Sequence, residues 1–126
     1  MLVSGDSKAN WKVLRYADVL LMYAEALNEN GKTAQALTYL NQVRTRAGLA
    51  GFSGLTQADA RDKIYLERRL ELGMEGHRWF DLVRTGRALS ILAPKGMKAH
   101  MNIFPIPLGQ LQVMNNTEIF PQNPGY

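Results

Sequence analysis

The sequence predicts an all-α fold of about four helices, followed by a long extended proline-rich C-terminal coil packed across them. Three observations carry this. Apolar residues recur at three- and four-residue spacing through most of residues 15–92. Cap and stop residues bracket those stretches. After Pro94 the periodicity ends, and prolines cluster in the last third of the chain. With 126 residues, 46% of them hydrophobic and 21% charged, the chain suits a single domain spanning 1–126.

Residues 1–10 are small and polar and read as a loose arm, and Trp11–Leu14 is a short apolar-rich lead-in. Arg15–Asn30 predicts an amphipathic helix with Tyr16, Leu20, Tyr23, Ala24 and Leu27 on one face and Asp18, Glu25 and Glu29 on the other. Asn28, Asn30 and Gly31 supply its stop signals. Thr33 is placed to cap a second helix running to about Ala47. Its apolar face is Ala36, Leu40, Val43 and Ala47, and Gly48 follows as a C-terminal glycine. The link is so short that the two helices should form an antiparallel hairpin, with Ala24, Ala26, Ala34 and Ala36 allowing close approach.

Three glycines mark residues 48–55 as a loop. Thr56 should cap a third helix, with Asp59 at the capping-box position. Gly73 and Gly76 interrupt the pattern, and a fourth helix is expected from about His77 to Leu92. Each proline of Phe104–Pro107 disfavours helix in its predecessor, so that stretch should be extended. Leu108–Val113 has room for one short turn. The coil is expected to bury Ile103, Phe104, Ile106, Ile119 and Phe120 and to dock the Tyr126 ring on the helices.

The formal net charge is +4, with basic residues scattered among acidic ones, so nothing points to nucleic acid. There are no cysteines, which excludes disulfides, thiol chemistry and cysteine-ligated metals. His77 and His100 lie far apart in sequence, and no metal or cofactor site is expected. The start, Met1–Asp6, lacks the basic and apolar regions of a signal peptide. The longest apolar run, Val19–Ala24, is far too short to span a bilayer, so the chain reads as soluble.

The residues that carry charge chemistry lie between Glu67 and Gly86. On one helix Glu67, Glu71 and Glu75 form a stripe at i, i+4, i+8, bordered by Arg68. Asp81 is flanked by Arg78 and Arg84 at three-residue spacing. Stacked carboxylates repel by about 0.2–0.5 kcal/mol per pair unless cations intervene, and Arg68, Arg69, Arg78 and Arg84 are the nearest suppliers. The preferred reading is a structural ion-pair network of Glu67, Arg68, Glu71, Glu75, Arg78, Asp81 and Arg84. The rival is a glycosidase carboxylate pair. Helical neighbours could meet the separation of about 5–5.5 Å that a retaining enzyme needs. Adjacent arginines, however, hold both carboxyls low in pKa and deny the proton a general acid requires. No catalytic residue is therefore assigned. His77 reads as structural, Trp79 as core, and Arg44 and Arg46 as cations favoured near a helix C-terminus. Trp11, in an irregular segment, is the one candidate, a minor one, for a ligand or partner surface.

The hairpin from Tyr23 to Gly48 resembles a tetratricopeptide unit, although only one copy is visible. Four stretches together resemble the C-terminal part of the SusD/RagB family of outer-membrane nutrient-binding lipoproteins: Arg15–Ala26, Asn41–Gly48, the pattern Glu67-Arg-x-x-Glu-Leu-x-x-Glu-Gly-x-Arg-x-x-Asp-Leu-x-Arg84, and Pro105-Ile-Pro107 with the ending Gln122-Asn-Pro-Gly-Tyr126. The resemblance implies a non-catalytic glycan- or nutrient-binding component of a TonB-dependent uptake system at the surface-exposed outer membrane. Its implied partners are a SusC-like transporter and an oligosaccharide or other nutrient. The lipidated cysteine and most of the family's N-terminal part are missing, so the chain is expected to be a fragment with some tendency to self-associate. Gln110 stands where relatives often carry an acidic residue. Two other functions compete: a generic tetratricopeptide-like protein-interaction module and, ranked last, the glycoside hydrolase.

Overall fold

The computed structural model describes residues 12–126, so Trp11 and the arm at 1–10 lie outside the described residues. The chain divides into two compact units, one ending at His77 and the other covering Arg78–Tyr126. All regular structure among the described residues is helical.

In the first unit α1 spans Tyr16–Glu29, α2 Thr33–Arg46 and α3 Gln57–Glu71. α1 packs against both of the others. The core is Leu21 and Ala24 of α1, Ala36, Leu40 and Val43 of α2, and Ala60 and Ile64 of α3. Phe52 and Leu55 of the connecting loop pack against it. The three-residue link between α1 and α2 turns at Gly31, whose φ of +72° suits glycine. Ala24 and Ala36 are fully buried, which lets the backbones approach, whereas Ala26 and Ala34 face outward.

Two local expectations need correction. Thr33 is the first residue of α2 rather than its cap. Its hydroxyl donates instead to Asn28 Oδ1 at 3.0 Å, tying the hairpin across its own turn. The buried face of α1 is Ala17, Asp18, Leu20, Leu21, Ala24, Leu27 and Asn28. Because α1 is covered by two helices, that face is wider than the single stripe Tyr16–Leu20–Tyr23–Leu27. It takes in Asp18 and leaves Tyr16 and Tyr23 exposed. Thr56 caps α3, its Oγ accepting from the Asp59 N–H at 3.1 Å and donating to the Asp59 carboxylate at 2.6 Å.

α4 spans His77–Arg84 and α5 Ala88–Leu92. The single helix expected from His77 to Leu92 is thus two. Gly86 turns between them with φ +67°, and Thr85 Oγ donates to the Asp81 carbonyl at 2.6 Å. Two short 3-10 helices follow at Ala93–Lys95 and Ala99–Asn102, and α6 spans Leu108–Met114. With six α-helices among the described residues, the count exceeds the four expected.

The proline-rich tail closes by side-chain hydrogen bonds rather than by apolar burial. Gln122 holds the Ile106 backbone from both sides, accepting from its N–H at 2.7 Å and donating to its carbonyl at 2.9 Å. Asn123 donates to the Phe104 carbonyl at 2.7 Å, and the Tyr126 hydroxyl donates to the Ile103 carbonyl at 2.8 Å. Ile103, Phe104 and Ile119 are consequently exposed. The Tyr126 ring meets His100 edge-on at 4.9 Å, not a long helix.

Candidate functional site

Arg15, Arg46, Glu71 and Glu75 converge where α1 begins and where α2 and α3 end. Arg15, just before α1, is the hub. Its Nη1 donates to Glu71 Oε1 at 2.6 Å, and its Nε reaches Glu75 Oε2 at 2.8 Å. Its Nη2 donates to the Glu71 carbonyl and to Glu75 Oε1 at 2.9 Å. One guanidinium thus fastens the last turn of α3 and the turn beyond it, using the fixed fork that lysine lacks. Arg46, at the end of α2, grips both Glu71 oxygens through Nη2, at 2.5 and 2.6 Å.

Glu75 is not on the helix that carries Glu67 and Glu71. α3 ends at Glu71, and Leu72–Gly76 is a turn in which Met74 takes φ +68°. The stripe expected at i, i+4, i+8 is therefore two helical glutamates plus one brought back by the turn. The hydrogen bond from Arg15 holds the Glu75 carboxyl below its ordinary pKa, with a small contribution in the same direction from the charge of His77.

Glu67, only 4% exposed, is met by Arg44 Nη1 at 2.7 Å. Arg44 also donates to the Ala50 carbonyl at 2.8 Å, and its guanidinium carbon sits 4.0 Å from the centre of the Phe52 ring. It therefore binds α2, the 48–55 loop and α3 together, beyond any interaction with its own helix terminus. Arg68 points the other way, to Asp18 of α1 at 2.7 Å. In the second unit Asp81 pairs with Arg84 at 2.8 Å, and Arg78 is partly buried.

The partners differ from those the spacing suggested. Glu67 and Glu71 are met by Arg44, Arg15 and Arg46, which belong to other elements. Sequence adjacency favours neighbours one turn away, but packing presents the arginines of α2 directly to the α3 carboxylates. Asp18 and Arg15 were missed altogether. The one available signal was an acidic residue within the periodic part of α1, and periodicity alone assigns such a residue to solvent. Trp79 is partly buried. Among the described residues no group of three or more His, Asp or Glu side chains is placed to hold a metal ion. No helix among them is long and apolar enough to cross a membrane.

Beside the Arg15–Glu71–Arg46 cluster lies a cavity of about 360 Å³ between the start of α1 and the end of α2. Ala17, Leu20 and Val43 floor it, with Arg15, Tyr16, Gln42 and Arg46 around them.

Comparison with known proteins places this helical unit. The SusD_RagB model, that of the SusD family, matches residues 2–102. SusD-like protein P2 of Formosa agariphila is 35% identical over 135 residues, an alignment covering 96% of this chain and 27% of the relative. A solved structure described as a laminarin-binding SusD-like protein is 45% identical, with a TM-score of 0.70, covering 90% of this chain and 23% of that one. A SusD superfamily protein from Parabacteroides distasonis is 34% identical with a TM-score of 0.78, covering 98% of this chain and 29% of that one. The chain thus spans about a quarter of the length of these relatives, from 23% to 29%. On the family match over most of its length, this chain belongs to the SusD family.

Proposed function

We propose that this chain is the C-terminal helical scaffold of a non-catalytic glycan- or nutrient-binding component of a TonB-dependent uptake system. It works at the surface-exposed face of the outer membrane, with a SusC-like transporter and an oligosaccharide as partners. Family membership supports this, as does the laminarin-binding relative. The observation that carries the non-catalytic part is the state of Glu71. It accepts from two guanidiniums at 2.5–2.6 Å, so its oxygens are occupied in fastening α1, α2 and α3 to one another. Glu67, held by Arg44, is in the same position. Carboxylates so neutralised serve cohesion between helices rather than acid–base chemistry.

The test is calorimetric titration of the chain with a panel of oligosaccharides, with reducing ends assayed in the same samples. Binding without new reducing ends is expected. Turnover that is lost in Glu71→Gln would overturn the non-catalytic reading, and silence across the panel would overturn glycan contact by this part of the protein.

The outer stripe of α1 supports association through this face. Val19, Met22 and Tyr23 are each 39–48% exposed on a helix whose other side is core. Tyr23 is braced edge-on by Tyr39 at 4.6 Å. Light scattering of the isolated chain is expected to show a concentration-dependent rise in mass, abolished by Met22→Glu. A strict monomer at all concentrations would refute it.

A further inference from the structure

We infer that the cavity between the start of α1 and the end of α2 is a subsite for one uncharged pyranose ring, stacked against Tyr16 and hydrogen-bonded by Gln42 and Arg46. This rests on the glycan-binding reading and locates a contact that reading leaves open. The volume of about 360 Å³ falls in the range of about 300–1,000 Å³ typical of small-molecule sites. The floor is apolar and rigid: Ala17, Leu20 and Val43 are all core residues, at most 9% exposed. A pyranose offers an apolar C–H face and an equatorial rim of hydroxyls, and this cavity offers the counterpart of each.

The rim has donors to spare. Tyr16 is 72% exposed although it opens a core helix. Arg46 spends only Nη2 on Glu71, and among the described residues Nε and Nη1 of its five-donor fork meet no acceptor. Gln42, one turn earlier on α2, is exposed, so its amide can both donate and accept, as a sugar hydroxyl requires.

Charge decides between ligand classes. The two guanidiniums beside the cavity, Arg15 and Arg46, are matched by two carboxylates, Glu71 and Glu75. Directional donors therefore remain without net positive charge. Among the described residues that line the cavity, a uronate, sulfated sugar or phosphate would find no uncompensated cation, whereas a neutral ring loses nothing.

The experiment is an amide chemical-shift titration of this chain with laminari-, cello-, malto-, manno- and xylohexaose, and with trigalacturonate as the acidic control. At least one neutral hexasaccharide is expected to shift the amides of Ala17, Leu20 and Val43. Tyr16→Ala and Gln42→Ala should each weaken that binding by roughly tenfold, equivalent to about 1.4 kcal/mol. Both side chains are exposed, and an unchanged far-ultraviolet spectrum checks that the variants fold. Phe80→Ala, an exposed aromatic of α4, should leave affinity unchanged. If a neutral sugar binds but both cavity variants retain full affinity, the subsite is refuted and the glycan-binding reading stands. If only trigalacturonate binds, the neutral assignment fails. If no sugar binds, the subsite and glycan contact by this chain fall together.

Discussion

Arg68 Nη1 and Asp18 Oδ1 meet at 2.7 Å between α3 and α1, and both residues are about 95% buried. Two opposite charges are thus held in the interior of a small helical unit, one turn from the core leucines. Desolvating such a pair is costly, so it adds little net stability, and any docking of α3 on α1 that separated the two charges would be penalised.

Removing one partner should therefore hurt more than removing both. Arg68→Met alone is expected to destabilise by about 3–5 kcal/mol, because the buried Asp18 carboxylate loses the guanidinium that it meets, and Asp18→Leu should also destabilise. The double variant should recover most of that loss. Urea unfolding of the four proteins measures the cycle, and singles costing under about 0.5 kcal/mol would show that the pair is solvated.

Asn28 joins three elements. Fully buried, it donates to the Gln57 carbonyl at 2.9 Å and accepts from Thr33 Oγ at 3.0 Å, while its own carbonyl accepts from Gln57 Nε2 at 2.6 Å. Asn28→Ala removes both side-chain bonds that tie α1 to α2 and α3 and leaves a void at a fully buried position, so a loss of about 1–3 kcal/mol is expected. In thermal unfolding Asn28→Asp should fare no better, since it cannot donate to the Gln57 carbonyl.

Acid should loosen the Arg15 hub. Glu75 is held below its ordinary pKa by the hydrogen bond from Arg15, and Glu29 by that from Arg61. A depressed folded-state pKa contributes stability that is complete above the unfolded-state value and is lost as pH falls through the folded one. Melting temperature is therefore expected to be flat at neutral pH and to fall below the ordinary carboxylate range. In Arg15→Ala the Glu75 part of that decline should vanish. A variant with the same acid limb as the wild type would mean the contact is not formed in solution. The Glu75 side chain is 38% exposed, so raised salt should also weaken the contact.

The tail depends on Gly125. Its φ is +97°, and a Cβ there would overlap the His100 ring. Gly125→Ala must displace the His100 ring from this turn. Faster amide exchange at Ile106 and Tyr126, without change in the first unit, is the expected readout. Unaltered protection at Ile106 would show that the Gln122 clamp holds without the terminal turn.

Much of the first unit could be read from residues alone. The spacing of Ala36, Leu40 and Val43 follows directly from a helix with one covered face, and Thr56 with Asp59 marks a helix start through strictly local hydrogen bonds. Glu67, Arg68, Glu71 and Glu75 could be recognised as charges in need of partners. Their partners could not be identified, because Arg15 and Arg44 lie 56 and 23 residues away from the carboxylates they meet. The second unit was less legible. A glycine and a threonine hydroxyl at 85–86 decide that α4 stops, and three side-chain amide and hydroxyl groups close the tail where apolar burial had been expected.

The sequence by itself determined that this chain is helical, where most helices start, and, through its motifs, the family to which it belongs. Those properties depend on neighbours within a few residues and on patterns kept along the chain. Only the tertiary structure decided that Asp18 is interior, that Glu71 is shared by two arginines, and that a cavity with spare donors opens beside Tyr16. Each of these depends on which faces of two or three helices meet, and helix periodicity is the same for every rotation that packing can select.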